Sequence, residues 1–402
     1  MSGAREKRDP LARKRLRHVP PGARSRAMHA LSARAAQGRL VMQACSDCDK
    51  VTYPPRDACP ACWGELGWRE QPAGAQVLCE TTVRVSTDPY FRDHMPWRMG
   101  KVQMDAGPVA LVHLHAALHP GDRAHVRAMV DRGGNAALFA IPEGAIDLMS
   151  DPQWREFVVP VAGRIALVSD ARNAIGRAVV RELQTAGAEL VVAGLPGPAL
   201  ASDAYDAVYA LDRVQTIALD VTDPVSVAEA ASRIGGPLDI VVNTARHVRT
   251  GGMSAGNALV EQRRALEVSA MGLSRLAATF APILAGRPNG AFVDVLSSAA
   301  LAGDAGNAGF AAAEAARLSL LQAFRHEMRG TGVRVLSVFT GPVDDSDHQH
   351  APPPKVPPVR IAGAIAEALA NGREETCVGD VAADAMMRWL ADPSLYVREK
   401  NL

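Results

Sequence analysis

Four of the six cysteines fall within eighteen residues, as Cys45-x2-Cys48 and Cys59-x2-Cys62. No other feature restricts the fold of this chain as tightly. Each C-x2-C pair lies on a turn that aims two thiolates at one point, and two such turns complete the tetrahedral S4 shell that structural zinc prefers. Paired disulfides are the alternative. They need an oxidising compartment, and the basic N-terminus has no apolar stretch behind it that would read as a secretory signal. The sequence therefore predicts a structural Zn2+ on Cys45, Cys48, Cys59 and Cys62 in a cytoplasmic protein. A closed S4 shell keeps no position for water or substrate, so this metal organises structure only.

The 402 residues exceed one typical domain. Candidate strands at 75–85, 108–115, 123–130 and 136–141, separated by Gly, Pro and Asp, predict a small closed barrel behind the ribbon. His113 and His115 lie two apart on one of them, either as solvent-facing side chains or as a metal-ligand pair. Residues 1–24 read as a basic flexible arm, either solvated or able to dock on an acidic partner or a CoA phosphate. The net charge of the whole chain is only +1, too weak a field to gather nucleic acid or an anionic membrane. Tyr90, Phe91, Trp97 and Phe139 do not interleave with basic runs, so the stacking platform of a single-strand binder is missing. No apolar run reaches the roughly 18 residues of a membrane span.

The region 25–145 resembles a known module. Gly38 to Cys45, the Tyr53-Pro54-Pro55-Arg56 turn, Cys59-Pro60-Ala61-Cys62, Trp68 and the barrel strands are similar to the acyl-CoA-associated rubredoxin-like zinc ribbon plus OB-fold family. The resemblance implies an accessory that docks on a thiolase or acyltransferase-like enzyme and helps form its acyl-CoA site, without being an enzyme itself.

From Gly163 the pattern changes. Apolar strands at 164–168, 190–193, 216–219, 240–243, 291–295 and 333–338 alternate with helical spacing at 175–186, 224–233, 257–284, 307–328 and 360–371, which predicts a doubly wound parallel sheet. Residues 146–160 are left as a linker and 161–402 as the second domain. Its landmarks are Ser169 to Gly176 after the first strand, Asp220-Val221, Asn243, Ser297-Ser298 and Gly341-Pro342. They identify it as resembling the short-chain dehydrogenase/reductase family, with a Rossmann fold.

That resemblance implies NAD(P) and a Ser-Tyr-Lys catalytic set, yet the implied positions are degenerate. The first turn reads Ser169-Asp170-Ala171-Arg172-Asn173-Ala174-Ile175-Gly176, so only the last glycine of the diphosphate-binding motif remains. Asp170 sets a carboxylate near the diphosphate position, or else caps its own helix. The second strand ends without an acid for the adenosine ribose. Counting from Ser297 puts Phe310 at the Tyr position and Glu314 at the Lys position. Phe310 has no proton to give, and a carboxylate at 314 would raise a neighbouring phenol's pKa. Ser269 takes the place of the relay Asn, and the motif at the fourth strand reads Asn243-Thr244-Ala245-Arg246. His247 is the one replacement base near the cleft; Tyr205, Tyr209 and Tyr396 lie away from it in the pattern. His348 and His350, ahead of the Pro-rich stretch 351–358, read as solvent-exposed.

The combined reading is a non-catalytic accessory subunit of acyl-CoA catabolism. Its ribbon and barrel would dock a thiolase-type enzyme. Its pseudo-dehydrogenase half would pair with an active 3-hydroxyacyl-CoA dehydrogenase, or with itself, through the Ala-rich helix 311–322, whose small residues either form that interface or face the sheet. Heteromers of both kinds occur together in anaerobic aromatic degradation, which makes this fusion resemble the two accessories joined. The alternative is an active NAD(P)-dependent oxidoreductase with atypical catalytic residues.

Overall fold

The computed structural model describes residues 18–22, 25–144, 146–197 and 210–401. The arm expected over 1–24, and Tyr205 and Tyr209, lie largely outside the described residues. Helix α1 (Arg26–Ala35) starts where the Ser25 hydroxyl accepts the Met28 N–H, and it buries Leu31 and Ala35. Strands β1 (Val41–Cys45), β2 (Val51–Thr52) and β3 (Leu66–Glu70) form the ribbon sheet in the order β2-β1-β3.

The barrel follows, from β4 (Gly74–Val83), the short helix α2 (Pro89–Asp93), β5 (Trp97–Met104), β6 (Val109–Leu114), β7 (Arg123–Val130) and β8 (Ala136–Pro142), closed as β4-β5-β6-β8-β7. Four of its strands match the sequence reading. Strand β5 was not foreseen there, because Arg98, Gly100 and Lys101 interrupt its apolar alternation. Gly100 is required by close approach: a Cβ would lie 2.8 Å from the Cys79 carbonyl oxygen, beside the register shift between Val77 and Cys79.

Two expectations are corrected in this region. Residues 146–160 do not form a free linker: 146–150 lie at the surface, but 151–159 are largely buried. A 3-10 turn and helix α3 (Pro152–Arg155) carry Trp154 into a buried cluster, together with Phe157 and Val158, against Trp97 and Phe139. That much apolar surface is more stable removed from water than strung between domains. His113 and His115 do not face solvent and do not pair on a metal. His113 Nδ1 accepts the Trp97 indole N–H at 2.9 Å, and His115 is buried 3.8 Å from Asp151. Burial pushes the His113 imidazole down to about 4.

The second module begins with β9 (Ile165–Val168), α4 (Ala174–Thr185), β10 (Leu190–Leu195), β11 (Val214–Ala218), α5 (Pro224–Ile234) and β12 (Ile240–Asn243). It continues with α6 (Ala258–Ala265), a π-helical segment (Leu266–Met271), α7 (Gly272–Ala285), β13 (Ala291–Ser297), α8 (Ala308–Met328) and β14 (Arg334–Thr340). It ends with α9 (Pro358–Ala370), β15 (Glu375–Val378), α10 (Asp380–Ala391) and α11 (Pro393–Lys400). The seven parallel strands run β11-β10-β9-β12-β13-β14-β15. Within the continuous helical run Ala258–Ala285 an 18-residue window reaches a mean hydropathy of 1.4, the length and composition of a membrane span. It was not recognised as such from the sequence. Here its Leu273, Leu276, Phe280 and Leu284 are buried in the module's core.

The two modules are joined by backbone and charge. Arg334, at the head of β14, is buried and donates to the carbonyl oxygens of Val130 in the barrel (3.1 Å), Phe157 in the connector (3.0 Å) and Gly372 after α9 (2.8 Å). The Ala36 carbonyl accepts the N–H groups of Glu374 and Glu375, while Glu374 forms a bidentate pair with Arg329. Replacing Arg334 by Leu orphans three buried carbonyls, so Arg334→Leu should lower unfolding stability by about 3–5 kcal/mol in a denaturant titration. His113 gives a pH signature. Between about pH 6.5 and its folded pKa near 4 the unfolded chain binds a proton that the fold does not, so stability falls as pH drops through that window. His113→Gln, which keeps an acceptor for Trp97, should flatten that slope in melts run from pH 7 to 4.

Candidate functional site

In the ribbon, two equivalent knuckles present the cysteines. Asp49 donates its N–H to the Cys45 carbonyl at 3.1 Å, and Trp63 donates to the Cys59 carbonyl at 2.9 Å. Both residues take positive φ, 55° and 65°, so the chain reverses immediately after each C-x2-C. The four Sγ atoms lie within 4.8 Å of one another. The amides of Asp47 and Ala61 donate to Cys45 and Cys59 sulfur at 3.4 Å, and the Ala61 amide helps hold the Cys59 thiol down to about 6. Four sulfurs at this spacing fit a tetrahedral Zn2+, and the donor set leaves no open ligand position.

In the second module the turn after β9 closes on itself. Helix α4 is capped by Asn173, whose Oδ1 accepts the Gly176 N–H at 2.7 Å and whose Nδ2 donates to the Thr244 carbonyl. This corrects the expectation that Asp170 caps the helix. The Asp170 carboxylate accepts the Arg172 backbone N–H at 2.9 Å and pairs with the Arg172 guanidinium at 3.2 Å. Its charge is therefore countered locally, which weakens the electrostatic half of the argument against a diphosphate. The steric half remains, and two of the turn's amides are consumed by Asp170 and Asn173. Ala174 opens α4. Gly176 is required, since a Cβ there would lie 1.9 Å from the Asp170 carbonyl oxygen. Asp220 accepts from the backbone and hydroxyl of Thr222 at the rim of the same cleft.

Two of the implied catalytic positions, Ser297 and Glu314, lie in a buried network at the C-terminal ends of β12 and β13. Ser169 Oγ donates to Asn243 Oδ1, and Asn243 Nδ2 donates to Asp294, each at 2.7 Å. Arg317, with no exposed side-chain surface, grips Asp294 through Nε at 2.7 Å and Nη2 at 2.6 Å. Its Nη1 also reaches Glu314 at 3.3 Å, and Glu314 accepts the Ser297 N–H at 2.7 Å. Burial alone would lower the Arg317 pKa, but the Asp294 and Glu314 carboxylates raise it above its ordinary range. The Ser297 hydroxyl accepts the Ala299 N–H. Ser269 is fully buried in the π-helical segment, its hydroxyl without a partner among the described residues.

Arg317 and Asp294 were not singled out from the sequence. The available signals were an acid in the middle of the apolar run Ala291 to Leu296 and an Arg on the stripe of Phe310, Ala313, Leu321 and Phe324. His348 corrects another reading: it is buried, with Nδ1 2.7 Å from Asp345 Oδ1 and its ring 6.5 Å from that of Phe310. His247 is paired with Glu261 at 2.8 Å.

A cleft of about 850 Å3 runs from Ser169, Asp170 and Arg172 past Asp220 to Ala245 and Glu267. Ser297, Phe310 and Glu314 do not line it. Beside Phe310 and His247 the space is about 10 Å3. Phe310 brings no transferable proton to that point.

Residues 164–355 match the short chain dehydrogenase family model, and residues 32–67 match the ChsH2, rubredoxin-like zinc ribbon domain. The second module is 31% identical over 222 residues to 1-deoxy-11-beta-hydroxypentalenate dehydrogenase of Streptomyces exfoliatus, covering 52% of this chain and 81% of that enzyme. The chain belongs to the short-chain dehydrogenase family. This family member is also 28% identical to 3-oxoacyl-(acyl-carrier-protein) reductase of Escherichia coli, over 52% of the chain and 88% of the reductase. A Burkholderia cenocepacia short chain dehydrogenase in complex with NADP superposes with a TM-score of 0.55 at 28% identity, covering 60% of this chain and 98% of that one. The chain is thus a short-chain dehydrogenase fold fused to an acyl-CoA-related zinc ribbon.

Metal analysis of the purified chain should return one zinc per polypeptide. Cys48→Ser should lose that zinc to a chelator at least tenfold faster, with the far-UV spectrum of the larger module unchanged.

Proposed function

We propose that this chain is a non-catalytic accessory subunit in acyl-CoA metabolism. In this reading the ribbon and barrel dock a thiolase or acyltransferase-like enzyme, and the degenerate dehydrogenase module pairs with an active dehydrogenase or with a second copy. The observation that carries it is the Glu314–Arg317–Asp294 network. The residue at the family's Lys position is a carboxylate committed to the Ser297 amide and to a buried guanidinium, and Phe310 beside it has no transferable proton. The acyl-CoA context is supported by the zinc ribbon match and by likeness to a reductase of 3-oxoacyl groups. Holding two enzymes together raises the effective concentration of an intermediate passed between them.

The second reading, an active oxidoreductase, is favoured by the open cleft of about 850 Å3 and by the NADP held in the Burkholderia relative. His247 as its base is countered by the Glu261 pairing and the small space beside Phe310. Fluorescence titration of NADH and NADPH separates the two: no saturable binding below millimolar concentration is expected, and micromolar binding overturns the first reading. Co-expression with thiolase-type and dehydrogenase proteins should recover a stable complex, and recovery of neither overturns the docking. Phe310→Tyr with Glu314→Lys should give no turnover and should cost about 3–5 kcal/mol of stability, because it sets a second cation against buried Arg317.

A further inference from the structure

Where the two modules meet, a cleft of about 720 Å3 opens between α1 and β3 on one side and β15 and α10 on the other. Its volume and its place at a domain junction are those of small-molecule sites. Neither module forms it alone. One wall is apolar and adaptable, built from Phe339, Met386, Met387 and Leu390. Met387 and Leu390 are 64% and 56% exposed, although the same helix buries Ala382 and Ala385 in the core. The facing wall is Trp68, with the Arg34 guanidinium 4.8 Å from its ring centre.

The charges lining this cleft are unequally satisfied. Glu70 pairs with Arg39 at 2.8 Å, and Glu375 is held by Arg325 at 2.9 Å and by Gln37 at 3.4 Å. Arg34 donates through Nη1 to the Ala30 carbonyl but has no carboxylate partner among the described residues. It is a half-buried cation on an aromatic face, next to apolar surface left open to water. Cys377 is no nucleophile here, because burial pushes its thiol up to about 11.

We propose that this cleft binds a small amphipathic carboxylate, with the carboxylate on Arg34 and the hydrocarbon between Trp68 and the Met386–Leu390 face. Guanidinium–carboxylate pairing supplies the polar anchor, and the uncovered thioether and leucine surface supplies the apolar contact. The site goes beyond the accessory role: its failure leaves that reading standing, and the converse holds.

Calorimetric titration of the full chain with decanoate and with 1-decanol tests this. Decanoate should bind saturably at micromolar to low-millimolar concentration, at least tenfold tighter than decanol. Arg34→Gln should remove that tenfold preference and leave decanol unchanged. Leu390→Trp, which fills the cleft, should abolish both. Met387→Glu, at an exposed position where folding is not at stake, should weaken decanoate at least fivefold by charge repulsion. No saturable decanoate binding overturns the proposal. So do equal affinities in the wild type and both α10 variants, or self-association of the chain that Leu390→Trp abolishes while decanoate leaves it untouched.

Discussion

A guanidinium with no exposed surface, gripped by two carboxylates, sets the character of the larger module. Arg317 on α8 ties Asp294 on β13 to Glu314 one turn back, and through Asn243 and Ser169 it reaches the ends of β12 and β9. Isolated buried charges cost several kcal/mol each, so such a cluster persists only when every member is paired. The consequence is interdependence. Glu314 cannot be replaced by a cation without setting like charge against Arg317 inside the fold.

A second buried guanidinium has a different task. Arg334 spends its hydrogen bonds on carbonyl oxygens of the barrel, the connector and the α9–β15 turn, which ties the barrel to the Rossmann sheet. The packed connector adds Trp154 and Phe157 to the same seam. The same tie shapes the cleft between Trp68 and α10, which a loose tether would not preserve.

Much of the architecture was legible in the chain. The paired C-x2-C turns, the switch from short alternating strands to a βαβ rhythm, and the boundaries of β7 and β12 follow from local spacing, because they depend on residues close in sequence. Strand β5 was hidden by its cations and Gly100, whose reason is the Cys79 carbonyl across the sheet. The 146–160 segment read as a tether because the residues that cover Trp154 and Phe157 come from β5 and β8. His348 looked exposed for a similar reason: Asp345 is near in sequence, but Phe310 is not.

The sequence by itself determined the four-cysteine cluster, the two fold classes and the presence of Phe310 and Glu314 at their places on α8, since these rest on residue identity and near-neighbour spacing. Only the tertiary structure decided that Asp170 is neutralised by Arg172, that Asn173 caps α4, and that Glu314 serves a buried Arg317. It also decided that the modules share one seam with a cleft inside it. The pairs Asp170–Arg172, Asn173–Gly176 and Glu314–Arg317 are close in sequence, but which near neighbour each side chain takes is set by contacts made across the fold, of Asn173 with Thr244, of Glu314 with the Ser297 amide and of Arg317 with Asp294, and no local pattern carries that information.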